Sequence, residues 1–572
     1  MSSYSKFPTI KINGFIVEGC HNISGLLSEL LSKNVLIVDT YTGVDCNQIK
    51  SFLQKLGSHL LIDTADLFEE EKELKQKTQV FMSEDSLFGY VSNLTIEDYF
   101  NSEKLNLARI EIADSKSGVI IFGPGASLVS DSGVMIYADM PRWEIQQRMR
   151  KKEVIALGMD NRAEDFSYQY KRGYFNDWRV LDRHKQKIYQ KVDFWLDTTQ
   201  KEHPKLIDKK TFYTGLEKAA ASPFRVMPFF DAAPWGGQWM KERFDLDKSI
   251  VNYGWCFDCV PEENSLLLEV NGAIFETPAV NLVYEKSLQL LGEAVESRFG
   301  KEFPIRFDFL DTMQGGNLSL QVHPTTHYAY NHFGIHYTQD ESYYIMDAKE
   351  GAVVYLGLKN NIDQAQMIND LENARDGDLE FNADAYTNVL TAKKHDHFLI
   401  PAGTVHCSGA DSLVLEISAT PNLFTFKLWD WNRLGLDGKP RPNNVERGKE
   451  VINWKRDTHY VQKELVNQFE IVASGNGWME ERTGLHKTEF IETRRHTFSQ
   501  PVLHQTHGSV NVLNLVEGEE VIVESPFGAF QPYIINYAET FIVPACVKEY
   551  SIRPHGTSEG KECKTIKAFV RF

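Results

Sequence analysis

Leu318-Ser-Leu-Gln-Val-His-Pro324 alternates apolar and polar side chains before a proline, the pattern of a short strand with one face turned to something other than oil. Gln321 and His323 are two residues apart, so both side chains leave the same face of a sheet. Outward from this stretch, Glu341 opens a second strand-like run, Glu341-Ser-Tyr-Tyr-Ile-Met346. His406 ends Ile400-Pro-Ala-Gly-Thr-Val-His406, where the Pro-x-Gly turn places it at the lip of a barrel. Taken singly, none of these residues signifies much: a histidine in a strand is commonly a structural residue, and Gln is an uncommon zinc ligand. Together, one amide oxygen, two imidazoles and one carboxylate suit one Zn2+ per chain, or another divalent ion, with a coordination position left for water or substrate. His327, His332 and His336 fall in Thr326-His-Tyr-Ala-Tyr-Asn-His-Phe-Gly-Ile-His336, which is expected to be a loop over the mouth of the site.

From about Asp231 onward the strands are short, aromatic and alternating, as in Ser265-Leu-Leu-Leu-Glu-Val270 and Ser412-Leu-Val-Leu-Glu-Ile-Ser418. That texture predicts a β-barrel or jelly roll, with helices over Glu276 to Phe299 and Asn361 to Ala374 outside it. Phe541-Ile-Val-Pro-Ala545 echoes Phe398-Leu-Ile-Pro-Ala402, so the last hundred residues are expected to form a second, smaller β-barrel without a metal. The first two hundred residues differ. Asn34–Asp39, His59–Asp63, Gly118–Phe122 and Val134–Tyr137 are continuous apolar runs alternating with helical patterns, the mark of an α/β domain whose parallel sheet is buried on both faces. A Lys-rich passage from Asp197 to Lys210 is expected to be a linker. The fold class is therefore multidomain, α/β followed by mainly β, with domains over 1–205, 206–475 and 476–572.

The chain has 572 residues, too many for one core. Its net charge of −18 argues against a nucleic-acid partner, and any anionic substrate needs a local basic pocket. Seven cysteines do not form a disulfide framework, and Cys256 and Cys259 are expected to be buried thiols. No eighteen-residue apolar run and no signal peptide is evident, which predicts a cytoplasmic protein with no membrane partner.

From about Pro234 to the end the chain resembles the type I mannose-6-phosphate isomerases, which are zinc-dependent cupins. The resemblance rests on Pro234-Trp-Gly-Gly237, Asn317–Pro324, Glu341–Ile345, Ile400–His406, Leu415-Glu-Ile417 and Leu436–Arg441. It implies Gln321, His323, Glu341 and His406 as zinc ligands, Arg433 as the active-site arginine, and a sugar-phosphate substrate. Lys427, Lys439, Arg441 and His336 are further candidates for substrate contact. There are two departures from the family pattern: Thr325-Thr326 follow His-Pro where two other polar residues are common, and Gln339 stands where many members have lysine. The implied activity is interconversion of mannose 6-phosphate and fructose 6-phosphate. A non-catalytic sugar-phosphate-binding cupin, and an isomerase of another phosphosugar, are the alternatives. The proton-transfer base is left open between a metal-bound hydroxide, a loop histidine such as His336, and an acidic residue. The N-terminal region resembles a degenerate nucleoside or nucleotide kinase. Its nearest candidate phosphate loop, Glu18–Gly25, lacks the required Lys and Ser/Thr.

Overall fold

The computed structural model describes all residues except 1, 2, 34, 58, 376–378, 421, 422, 440 and 485, so Asn34 of the first predicted strand and Pro440 of the Leu436–Arg441 block lie outside the described residues. In the N-terminal region, Leu36–Thr40 is the central strand, flanked by Gly118–Gly123 and Val134–Asp139. His59–Asp63 lies beyond the first neighbour and Phe194–Asp197 beyond the second, all five parallel. These are the apolar runs of the sequence, covered by helices on both faces.

Two antiparallel strands, Lys205–Asp208 and Ile16–Glu18, finish this sheet. The expected linker from Asp197 to Lys210 is thus a sheet strand followed by the start of the helix Lys209–Ala220. Its interior pair, Leu206 and Ile207, is fully buried, and Asp208 caps the helix by accepting from the Thr211 amide at 2.8 Å. The segment Glu18–Gly25 sits at the sheet edge, at the end of one strand and in the helix Cys20–Leu31. The loop that leaves the central strand is instead Tyr41–Asp45. There the Asp45 carboxylate accepts from the Gln48 amide at 3.1 Å, so the helix Cys46–Leu53 has its N-terminus capped by a carboxylate of its own chain.

The strand Thr9–Ile12 leaves this unit and pairs in parallel with Ser265–Val270, tying the chain start to the β-rich part. The predicted helix from Glu276 begins as a strand, Ala273–Pro278, and then runs as Val280–Leu291 and Glu293–Phe299. The break is Gly292 (φ 89°), where a Cβ would meet the Gly508 carbonyl oxygen at 1.9 Å, so only glycine fits.

The unit that carries the candidate metal ligands is a pair of antiparallel sheets. The six-stranded one runs His397–Ile400, Glu341–Ala348, Ser412–Ala419, Ile305–Asp311, Trp255–Cys259, Phe229–Asp231. The five-stranded one runs Thr387–Thr391, Val353–Leu358, His406–Ser408, Leu320–Val322, Phe426–Trp429. The expected loop after Pro324 is mostly a helix, Thr326–Phe333, capped by the Thr325 hydroxyl and buried at Tyr328, Ala329 and Phe333. Its polar composition hid a helical spacing of buried rings. The last residues form a six-stranded and a four-stranded antiparallel sheet, which include Thr540–Val543. Cys256 and Cys259 are buried free thiols. No helix among the described residues is long and apolar enough to cross a membrane.

Two buried histidines set an acid limit on this fold. Burial, with Arg495 nearby, pulls His397 down to about 3, and burial beside His496 pulls His504 well below its ordinary value. A histidine held neutral in the fold and titrating near 6.5 when unfolded favours the fold fully above 6.5 and progressively less below it. The melting temperature should therefore fall by on the order of 5 °C between pH 7.5 and pH 5. His504→Leu should flatten that slope; a melting temperature that rises on acidification contradicts the assignment.

Candidate metal centre

Gln321 pairs directly with His406 across the five-stranded sheet, which brings the first and third motifs side by side. Glu341 comes from the other sheet, held between Ile400 and Ser418. His323, Glu341 and His406 converge in the buried space between the sheets, with ligand atoms all within 4.8 Å of one another. His323 Nε2 lies 3.1 Å from one Glu341 oxygen and His406 Nε2 lies 2.9 Å from the other.

The opposite ring nitrogens define the chemistry. His323 Nδ1 is 3.1 Å from the Phe424 carbonyl oxygen, and His406 Nδ1 is 2.8 Å from that of Thr404. A carbonyl only accepts, so each Nδ1 carries its proton and donates it, which leaves a neutral ring's Nε2 lone pair facing inward. Two lone pairs aimed at a carboxylate, away from water, repel unless a cation sits among them. When protons take the place of a metal, the two rings become imidazoliums that, against the upward push of burial, hold the Glu341 carboxyl far below the usual carboxylate range. The Gln321 amide is 3.2 Å from His406 Nε2; a half-turn of that amide aims its oxygen at the same point. Two neutral imidazoles, a carboxylate and an amide oxygen fit a borderline divalent ion such as zinc. Gln339 Nε2 donates to Glu341 at 2.9 Å, steadying the carboxylate from behind.

Beside Gln321 opens a cavity of about 380 Å³, walled by Trp235, Trp255 and Phe257 and carrying Arg306, Asp308, Gln339, Glu416, Lys427 and Arg441. Burial drives Asp308 up to about 7 against the pull of Arg306, whose guanidinium is 2.8 Å away. Burial also holds Glu416 well above its ordinary value, with the Glu341 charge adding to the shift. Burial pulls Lys427 down to about 8, with Arg441 next to it.

Of the candidates from sequence, Lys427 and Arg441 therefore line this cavity. Arg433 does not. Its guanidinium donates to the Asn317 carbonyl and to Asp430, both at 2.7 Å, and Asp430 is also the ion-pair partner of Arg441. Lys439 is exposed in a surface turn, and His336 lines a different cavity. The sequence reading passed over Arg306, Asp308 and Glu416. Their signal was present, since Arg306 and Asp308 alternate with Phe307 and Phe309 in a fully buried strand, where unpaired charge is costly.

The N-terminal unit reaches this centre through aromatic packing. The Phe424 carbonyl that orients His323 belongs to a residue whose ring stacks on Phe333 at 4.7 Å and on Phe88 at 6.2 Å, with Phe175 edge-on at 6.1 Å. Phe88 and Phe175 come from the N-terminal region. Phe88→Leu should weaken metal binding about tenfold, the usual size of an orienting-partner effect, as read by competition with a chromophoric chelator. An unchanged metal affinity would remove the N-terminal unit from the support of His323.

Residues 20–221 match a family described only as a domain of unknown function (DUF8485). The chain is 27% identical over 222 residues to a putative mannose-6-phosphate isomerase, YvyI, of Bacillus subtilis, covering 38% of this chain and 65% of that one. It is 26% identical over 222 residues to the mannose-6-phosphate isomerase of Streptococcus mutans, covering 38% of this chain and 64% of that one. The chain thus spans just under two thirds of the length of these curated relatives. The crystal structure of the Bacillus subtilis mannose 6-phosphate isomerase superposes with a TM-score of 0.50 at 18% identity, covering 61% of this chain and 99% of that one. Over about two fifths of its length in sequence, and about three fifths in fold, the chain is similar to the mannose-6-phosphate isomerases.

Proposed function

We propose that the chain is a zinc-dependent aldose–ketose isomerase that interconverts mannose 6-phosphate and fructose 6-phosphate. The observation that carries this is the convergence of His323, Glu341 and His406 next to Gln321, which lines a cavity that holds both buried carboxylates and cationic side chains. Isomerisation moves one proton between C2 and C1 of the open-chain sugar through an enediol. A zinc ion held by Gln321, His323, Glu341 and His406 supplies Lewis acidity toward the sugar oxygens. Lys427 and Arg441 carry the positive charge that receives the phosphate within a chain of strongly negative net charge. Arg433 acts through Asp430, which it and Arg441 share, so its role is to position Arg441. Asp308 is the proton-transfer base: it lines the cavity, and it sits near neutrality, where a carboxyl can both take and return a proton. Arg306 holds its orientation. His336, in a different cavity, is not placed to serve.

Gln339 and the Thr325-Thr326 pair are consistent with this reading, because each has structural work here. Gln339 donates to Glu341, and Thr325 caps the helix after Pro324. The test is proton NMR of the zinc-loaded chain with mannose 6-phosphate in deuterated water. Fructose 6-phosphate should accumulate with deuterium entering at the exchanged carbon; no product from mannose 6-phosphate, with tight binding retained, would leave the non-catalytic alternative.

A further inference from the structure

A second cavity, of about 430 Å³, lies between the N-terminal unit and the one that carries the candidate metal ligands. One wall is the helix Trp178–Ile188, which presents Arg179 and Arg183 on one face, four residues apart. The other wall carries Glu262, Lys301 and Glu302 and the segment Gly334–Tyr337. That segment runs on within a few residues to Gln339 and the ligand Glu341.

The charges here are unevenly satisfied. Arg142 and Asp182 pair with each other, and Asp182 also accepts from the Tyr41 hydroxyl at 2.8 Å. By contrast, neither Arg179 nor Arg183 forms an ion pair among the described residues. Arg179 Nε donates to the Tyr174 carbonyl at 3.1 Å and its guanidinium lies over the Tyr174 ring, while Arg183 Nη2 donates to the carbonyls of Ser92, at 2.9 Å, and Leu94, so each keeps its full charge. Burial, with Arg179 close by, lowers Arg183 from its ordinary value. Two like charges facing one cavity in a chain of net charge −18 are stabilised by an anion between them. Across the cavity, Glu302 accepts from Tyr337 at 3.0 Å, while Glu262 has one buried oxygen without a partner and is pushed up to about 7 by burial. A carboxyl in that state can accept from or donate to a neutral hydroxyl.

We propose that this cleft is a second binding site, for a small phosphorylated polyol whose phosphate is held by Arg179 and Arg183 and whose hydroxyls meet Glu262. A guanidinium pair matches phosphate oxygens through parallel donors, and the volume admits a molecule of that size. Because one wall continues into the strand bearing Glu341, an occupant also braces the chain that leads to the metal ligands.

Calorimetric titration of the zinc-loaded full chain with sorbitol 6-phosphate, which cannot be isomerised, tests this. The wild-type chain should show two sites, one in each cavity. Arg179→Ala loses one internal hydrogen bond and its contact over the Tyr174 ring, and Lys301→Glu is at the exposed rim, so both should fold, keep their zinc, and weaken one site at least about tenfold. Arg441→Ala should weaken the other. If the catalytic cavity does not bind phosphates, a single site should remain, and Arg179→Ala should abolish it. Unphosphorylated sorbitol should not bind. Titrations of Arg179→Ala and Lys301→Glu that both match wild type, or equal binding of sorbitol, overturn the proposal.

Discussion

Glu341→Gln, and separately His406→Ala, should yield folded chains that retain no stoichiometric zinc and lose isomerase activity on the order of 10³-fold or more. The reason lies in the donor set. His323 and His406 both spend Nδ1 on backbone carbonyls, so their inward lone pairs need a cation, and Glu341 lies 3.1 and 2.9 Å from the two. Glu341→Gln keeps the shape but removes the charge and aims an amide donor at one of the rings, which then satisfies itself without metal. His406→Ala removes a ligand and also leaves Gln321 without its cross-strand neighbour's ring. Metal content by atomic emission and rate by a coupled assay should fall together. A zinc-free Glu341→Gln chain with wild-type turnover would show that these residues serve structure alone.

The second large effect should come from Asp308→Asn. This substitution leaves every metal ligand in place, so zinc should remain at one per chain while kcat drops by about 10²- to 10⁴-fold, the range for a removed general base. Asp308 must be ionised to take a proton, and burial holds it up to about 7, so wild-type kcat/KM should rise with pH through that region. Glu416 shares the cavity and is also raised, so the limb belongs to the pair of carboxyls jointly. In Asp308→Asn the residual rate should lose that limb. A variant with normal kcat, or one whose acid limb is unmoved, would shift the base to another group.

Much of this arrangement was legible in the residues. Gln321 and His323 declared a shared strand face by their spacing, and Glu341 and His406 by their chemistry. Continuous apolar runs such as Gly118–Phe122 announced a sheet buried on both faces. What the chain hid has physical causes. Register is not local, so the direct pairing of Gln321 with His406 could not be counted from either motif. Lys205–Asp208 is a four-residue strand with charge at both ends and only two buried side chains, too short for periodicity to separate it from a linker. The helix Thr326–Phe333 is written in Tyr, His and Asn, and only its Thr325 cap and buried rings distinguish it from a loop. Asp308 shares its strand with Arg306 and Asp311, Glu416 is the one acidic residue of an apolar strand, and what each does depends on the side chains facing it across the cavity. Arg179 and Arg183 resemble any solvated helical pair until a second unit closes over them.

The central claim is that a divalent ion held by Gln321, His323, Glu341 and His406 makes this cavity an isomerase. The most direct measurement is the coupled assay for fructose 6-phosphate from mannose 6-phosphate, run on the chelator-stripped chain during stepwise return of zinc. The rate should be near zero without metal, climb in proportion to zinc bound, and level off at one ion per chain. A stripped chain that turns over at the full rate, or a zinc-saturated one that produces no fructose 6-phosphate, would contradict the account.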